Sequence, residues 1–154
     1  MHNKSSMGPK PVVLVVDDEP AFTDSLKLSL EHEGYAVQVL HEGNEAIEKI
    51  AKINPDIILL DVMMPKLDCF HVCRMMKYNK KMSYIPIVMV TARSRQADRD
   101  LGLSVGADGY FVKPFESEEL FSQMKQLIKQ SAIKKQQILL EAEKEDKVPK
   151  KRVI

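Results

Sequence analysis

Long hydrophobic runs are missing from this chain. The longest apolar stretches, such as Val12–Val16 and Ile57–Leu60, fall far short of the ~20 residues that span a bilayer, so no membrane partner is expected. The opening segment, Met1–Lys10, lacks the apolar core of a signal peptide. Cysteine is scarce too. Cys69 and Cys73 stand four apart, which puts them on one face of a helix and does not suit a disulfide framework. Excess charge is also absent: 23 basic against 22 acidic side chains leave +1, which gives no footprint for direct nucleic-acid binding. There is no Gly/Ser linker and no internal repeat. A cytoplasmic protein is the simplest expectation.

What is present suits one globular domain with a short appendage. The 154 residues, 44% hydrophobic and 29% charged, match a domain of ~100–150 residues plus a tail. Residues 131–154 carry seven basic and four acidic groups, a net of +3, which leaves residues 1–130 at −2. We divide the chain into a disordered N-terminal segment (1–10), a domain (11–130) and a charged tail (131–154). The tail continues the last helix to about Lys144, and Lys150–Ile154 is loose.

Strand and helix signals alternate five times. Val12–Val16 is a β-branched run suited to a strand buried on both faces. Pro20 opens a helix whose apolar positions are Phe22, Leu26, Leu28 and Leu30, and Gly34 stops it. Ala36–Leu40 is a second strand. Asn44 caps a helix to about Ile53 with Ala46, Ile47 and Ile50 inward. Ile57–Leu60 is a third strand, and Asp68 caps a helix to about Tyr78. Pro86 opens a fourth strand, Ile87–Val90. Asp98–Val105 is a weaker helix that Gly102 loosens. Tyr110–Val112 is a fifth strand, and Ser117 caps a last helix carrying Leu120, Phe121, Met124, Leu127 and Ile128. This order predicts an α/β fold: a doubly wound five-stranded parallel sheet, a (βα)5 flavodoxin-like three-layer sandwich.

Polar residues fall at particular places on that pattern. Asp17 and Asp18 follow the first strand, Asp61 the third, Thr91 the fourth and Lys113 the fifth. In a parallel sheet all C-terminal strand ends share one edge, where open α/β folds bind ligands. A lone Asp after a strand is usually a cap or turn residue. Five such positions on four strands point instead to a site. Clustered aspartates repel one another unless some protonate or a cation neutralises them. An all-oxygen site with room for water suits Mg²⁺ better than Zn²⁺. A carboxylate beside Mg²⁺ can attack a phosphoryl group and become an aspartyl phosphate, with Lys113 and Thr91 offsetting charge on the phosphoryl oxygens.

The segments Val-Val-Asp17-Asp18-Glu19-Pro20, Leu-Leu-Asp61-Val-Met-Met-Pro65, Val-Thr91-Ala92 and Gly-Tyr110-Phe-Val-Lys113-Pro114-Phe115 together resemble a response-regulator receiver domain of two-component signalling (CheY-like), over about Pro11 to Ile128. The resemblance implies that Asp61 is the phosphoacceptor and that Asp18 and Asp61 are direct Mg²⁺ ligands. It implies further that Asp17 holds the ion largely through water and that the backbone carbonyl of Met63 is another ligand. Lys113 matches the phosphate-pairing lysine, before a proline typically in a cis bond. Thr91 and Tyr110 match a switch pair: the hydroxyl moves toward the phosphate and the ring turns inward. Met63 and Arg93 match positions that tune phosphoryl lifetime. Cys69 stands where the family usually has glycine, and Gly102 is less common in the fourth helix.

The implied function is that of a phosphoacceptor rather than an enzyme. A histidine kinase or phosphotransfer protein donates to Asp61, and the surface of the fourth helix, fifth strand and fifth helix then binds a protein target or a second copy. The alternative is a Mg²⁺-dependent aspartyl-phosphate phosphohydrolase acting on external substrates. Phosphatases of the haloacid-dehalogenase type usually place a second acid two residues after the nucleophile, and here that residue is Met63. A nucleotide- or flavin-binding domain is disfavoured because acids, not glycines, fill the first strand–helix turn. Cys69, His71 and Cys73 read as helix packing rather than a metal site, and Met63–Met64 and Met75–Met76 as core filler. None of His2, His32, His41 and His71 is placed at a strand end, so no phosphohistidine is assigned. A stand-alone regulator acting by protein contact is the expectation, ahead of a receiver cut from a longer chain.

Overall fold

A computed structural model describes residues 8–43 and 46–147. Five strands form one sheet in the order β2-β1-β3-β4-β5. They are β1 (Val12–Val16), β2 (Ala36–Leu40), β3 (Ile57–Leu60), β4 (Ile87–Thr91) and β5 (Gly109–Val112). Every neighbouring pair is parallel. Parallel neighbours need long crossovers, and the helices α1 (Pro20–His32), α2 (Ala46–Ile53), α3 (Cys69–Tyr78), α4 (Gln96–Ser104) and α5 (Ser117–Lys147) alternate with the strands along the chain. The expected α/β architecture is therefore present.

Side-chain alternation divides the core in two. Leu14, Val16, Ile58, Leu60, Ile87 and Met89 point to one face, where Ile50 of α2 and Val72, Cys73 and Met76 of α3 meet them. Val13, Val15, Ile57, Leu59, Val88 and Val90 point to the other, against Leu26 and Leu30 of α1 and Leu120 and Met124 of α5. Strands covered on both sides carry continuous apolar runs: β3 and β4 are buried throughout, whereas the edge strand β2 is only partly buried.

Local signals mostly end where the chemistry says they should. Pro20 sits at the start of α1, where its missing N–H costs nothing. Gly34 takes φ +100° just beyond the helix, a conformation that only glycine adopts freely. Asp68 caps α3 by accepting the His71 N–H at 3.1 Å. The Asn44 cap lies outside the described residues, as do residues 1–7 of the N-terminal segment and Lys150–Ile154.

Several details differ from expectation. Leu28 is 71% exposed: Phe22, Leu26 and Leu30 recur every four residues on one helix face, and position 28 lies half a turn away. Met64 and Met76 are buried core, but Met63 and Met75 are about half exposed, because consecutive residues leave a turn or helix in different directions. Ser117 is the first residue of α5 rather than its cap; the Glu116 carbonyl receives the Glu119 and Leu120 N–H groups. Helix α4 runs without a break through Gly102. This glycine is buried, and a Cβ there would lie 2.8 Å from Met89 Sδ and 3.1 Å from the Tyr110 ring. The absent side chain lets α4 lie close on β4 and β5.

Helix α5 is the longest element. Its 31 residues span roughly 46 Å at 1.5 Å per residue. Beyond position 130 it passes Tyr84: Ser131 Oγ donates to the Tyr84 carbonyl at 2.7 Å, and Lys135 Nζ lies 5.3 Å from the ring centre. Ile133, Leu139 and Leu140 are exposed along this extension. Among the described residues, no helix is long and apolar enough to cross a membrane.

Candidate functional site

The sheet delivers the polar residues by extending its own hydrogen bonding one step past the strands. Asp17 N–H donates to the Leu40 carbonyl at 3.0 Å, Asp61 N–H to Val16 at 2.9 Å, and Lys113 N–H to Thr91 at 2.8 Å. Each of these three residues is thus the first to leave the ladder, with its backbone still fixed by the neighbouring strand. Asp17, Asp18 and Asp61 come together: one carboxylate oxygen from each lies within 4.8 Å of the others. Asp17 and Asp61 are buried, and Asp18 is exposed.

Lys113 enters from β5. Its Nζ is 2.7 Å from Asp17 Oδ2, 3.8 Å from Asp61 Oδ2 and 3.7 Å from Glu19 Oε2. The ammonium also sits 3.8 Å from the centre of the Phe22 ring, a cation–π contact that helps it tolerate partial burial. The peptide bond Lys113–Pro114 is cis. The Asp61 side chain uses its two oxygens differently: Oδ1 accepts the Met63 N–H at 3.0 Å, and Oδ2 faces Lys113. Burial pushes the Asp61 carboxyl above its usual range. The Asp17 charge acts the same way, while the Met63 N–H, the Lys113 ammonium and the Thr91 hydroxyl oppose the shift.

Thr91 is fully buried at the end of β4. Its hydroxyl oxygen accepts the Arg93 N–H at 3.3 Å. Tyr110 is also buried, and its hydroxyl donates to the Arg93 carbonyl at 2.9 Å. Thr91 and Tyr110 are therefore joined through one residue, Arg93. The guanidinium of Arg99 lies 5.4 Å from the Tyr110 ring centre. Burial is the first cause holding the Tyr110 phenol above its usual range.

Two nearby residues have roles that sequence reasoning missed. Cys69 is buried, as expected of a packing thiol, but its Sγ also lies 2.7 Å from the Asp61 carbonyl oxygen, which accepts its hydrogen. Burial first, then Asp61 and Asp68, push this thiol up to about 12, so it stays protonated and keeps that hydrogen bond. His41 is the first residue past β2, contrary to the expectation that no histidine stands at a strand end. Its Nδ1 is 3.1 Å from the Asp17 carbonyl oxygen. Its position directly after Leu40 was the available signal. His71, expected off the cysteine face, is exposed, whereas Cys69 and Cys73 are buried.

Comparison with known proteins settles the family. Residues 13–125 match the model described as the response regulator receiver domain. The chain belongs to this family. Receiver domains of response regulators are signalling domains, and the relatives carry regulator names. The transcriptional regulatory protein TrcR of Mycobacterium tuberculosis is 42% identical over 120 residues, which cover 78% of this chain and 46% of that protein. Response regulator MprA of Mycobacterium ulcerans is 44% identical over 121 residues, covering 79% and 51%. The chain spans about half the length of these curated relatives. Among solved structures, the chemotaxis response regulator CheY4 of Vibrio cholerae superposes with a TM-score of 0.69 at 30% identity, covering 77% of this chain and 98% of that one. The signal receiver domain of a signal transduction histidine kinase from Syntrophus aciditrophicus gives 0.71 at 33%, covering 77% and 90%.

The receiver's acid cluster fits a divalent cation. Asp17, Asp18 and Asp61 gather three carboxylates, and one ammonium, Lys113, answers Asp17 and Asp61 while also meeting Glu19, so negative charge is in excess there. All three donors are oxygen, which suits a hard ion such as Mg²⁺ and not one that prefers sulfur or nitrogen.

Proposed function

We propose that this receiver takes a phosphoryl group on Asp61 from a histidine kinase or phosphotransfer protein. The single observation that carries the reading is the Asp61 carboxylate: buried, with Oδ1 held by the Met63 N–H and Oδ2 facing Lys113 beside two further aspartates. Asp61 Oδ2, the oxygen that faces Lys113, is the nucleophile, and Oδ1, which accepts the Met63 N–H, is left to the ion. Oδ2 forms the new O–P bond as the bond from phosphorus to the donor breaks. Asp17, Asp18 and Asp61, with the Met63 carbonyl, would hold Mg²⁺, which when bound supplies positive charge to the phosphoryl oxygens. Lys113 stands 3.8 Å from Asp61 Oδ2 and pairs with an equatorial oxygen of the transferred group.

The response then passes through Arg93. A Thr91 hydroxyl that turns to the phosphoryl oxygen gives up the Arg93 N–H. The Arg93 carbonyl, bonded to the Tyr110 hydroxyl, is on the same residue, so the Tyr110 ring and the α4–β5 surface feel the change. This is a two-state element biased by one new dianionic group. The remodelled α4–β5–α5 surface is the proposed contact for a protein target or a second copy, in the cytoplasm. The phosphohydrolase alternative finds no second acid two residues after Asp61, where the half-exposed Met63 stands.

Intact mass after acetyl phosphate treatment tests the reading. We expect a gain of one phosphoryl group with Mg²⁺, none with a chelator, and none for Asp61→Asn under either condition. An unshifted wild-type mass with Mg²⁺ refutes it. Sustained turnover of a generic phosphate ester would favour the enzyme instead.

A further inference from the structure

We infer that His41 is a positioning residue for the acid turn: its ring holds the peptide between Asp17 and Asp18 and so sets the direction of the Asp18 carboxylate. The inference rests on the reading of the acid cluster as a Mg²⁺ site.

The geometry is simple. A carbonyl oxygen only accepts hydrogen bonds, so the His41 nitrogen 3.1 Å from the Asp17 oxygen must be the one that carries hydrogen. That carbonyl belongs to the peptide linking Asp17 to Asp18. The same turn is fixed from its other side, where Asp17 N–H donates to the Leu40 carbonyl at 3.0 Å. The end of β2 therefore grips the Asp17 backbone twice, once by main chain and once by the His41 ring.

Asp17 does not need this second grip for its own side chain. Its Oδ1 accepts the Glu19 N–H at 3.0 Å and its Oδ2 accepts Lys113 at 2.7 Å. Asp18 is different. It is exposed, and among the described residues its carboxylate takes no hydrogen bond. Its direction toward Asp17 and Asp61 follows from the peptide plane that precedes it, and that plane is the one His41 holds. His41 is itself exposed, so core packing does not account for its place. It lines the same cleft as Asp18, Met64 and Pro65.

Direct Mg²⁺ binding by calorimetry on the full chain tests this, with phosphorylation as a second readout. His41→Ala and His41→Phe remove the donor, and the latter keeps a ring. Each should weaken Mg²⁺ binding about two- to fivefold, the scale of one partly solvated hydrogen bond, while phosphoryl incorporation at saturating Mg²⁺ stays near wild type. His41→Asn, whose amide can reach the same carbonyl, should restore the affinity. Asp18→Asn serves as the control for the cluster. His41 variants that bind like wild type while Asp18→Asn binds weakly overturn the inference and leave the cluster standing. An Asn variant as weak as Ala also overturns it. A wild type that binds no Mg²⁺ overturns the reading of the cluster and this inference with it.

Discussion

Replacing Asp61 with asparagine should make the protein more stable as well as inert. The carboxylate is buried, and burial is the first cause raising its proton affinity, so the ionised form is held at a cost. Neighbouring charges act in both directions. At an effective dielectric of ~20, the Asp17 oxygen, no more than 4.8 Å away, repels Asp61 by at least about 3.5 kcal/mol, and Lys113 at 3.8 Å attracts it by about 4.4 kcal/mol. The exposed Asp18 contributes only a fraction of its share. Asparagine keeps the size and an Oδ1 acceptor for the Met63 N–H, while removing the burial cost of the charge. We expect a gain of about 1–2 kcal/mol, or roughly 3–6 °C in Tm for a domain of this size. Thermal melts with a chelator and with excess Mg²⁺ provide the assay. Mg²⁺ should raise the wild-type Tm and raise that of the variant less, because one ligand charge is gone. A variant that melts below wild type in chelator, or gains as much from Mg²⁺, would refute the reasoning.

Lys113→Ala leaves Asp17 without its 2.7 Å partner, so in chelator it should lose about 2 kcal/mol of stability. It should retain Mg²⁺ binding, tightened by loss of the competing ammonium, yet incorporate phosphoryl groups at least about tenfold more slowly; calorimetry and mass kinetics check both. Gly102→Ala should destabilise by about 1 kcal/mol, because overpacking at Met89 and Tyr110 outweighs the helix-propensity gain. It should also displace the Tyr110 ring, visible as shifted aromatic NMR signals, and a raised Tm would count against that account.

The fold was legible because each strand carries its signal twice. Val12–Val16 and Ile57–Leu60 are apolar runs bounded by turn residues, and both faces of each are in fact covered. Helix faces were less legible, since a hydrophobic count does not fix an angle. Leu28 belongs to the apolar list of α1 but not to its buried stripe. Gly102 shows a related limit. Propensity scores a helix glycine as a weakness, whereas the close approach of Met89 and Tyr110 that rewards it lies on other elements of the chain.

Legibility of the site followed from topology. Parallel strands bring their C-terminal ends to one edge whatever their separation in sequence, so Asp17, Asp61, Thr91 and Lys113 could be gathered by position alone. The same rule applied to β2 would have included His41, which stands one residue past Leu40 as Asp61 stands one past Leu60. The His41 contact is with a backbone carbonyl, that of Asp17, and a side chain's partner on the main chain leaves no mark in the residue pattern. Cys69 was harder to reach. It is the first residue of α3, and its link to the Asp61 carbonyl depends on how that helix packs against the end of β3. Residues that touch the proposed phosphoryl group can be found from strand ends. Residues that aim them are found only once the turns are closed.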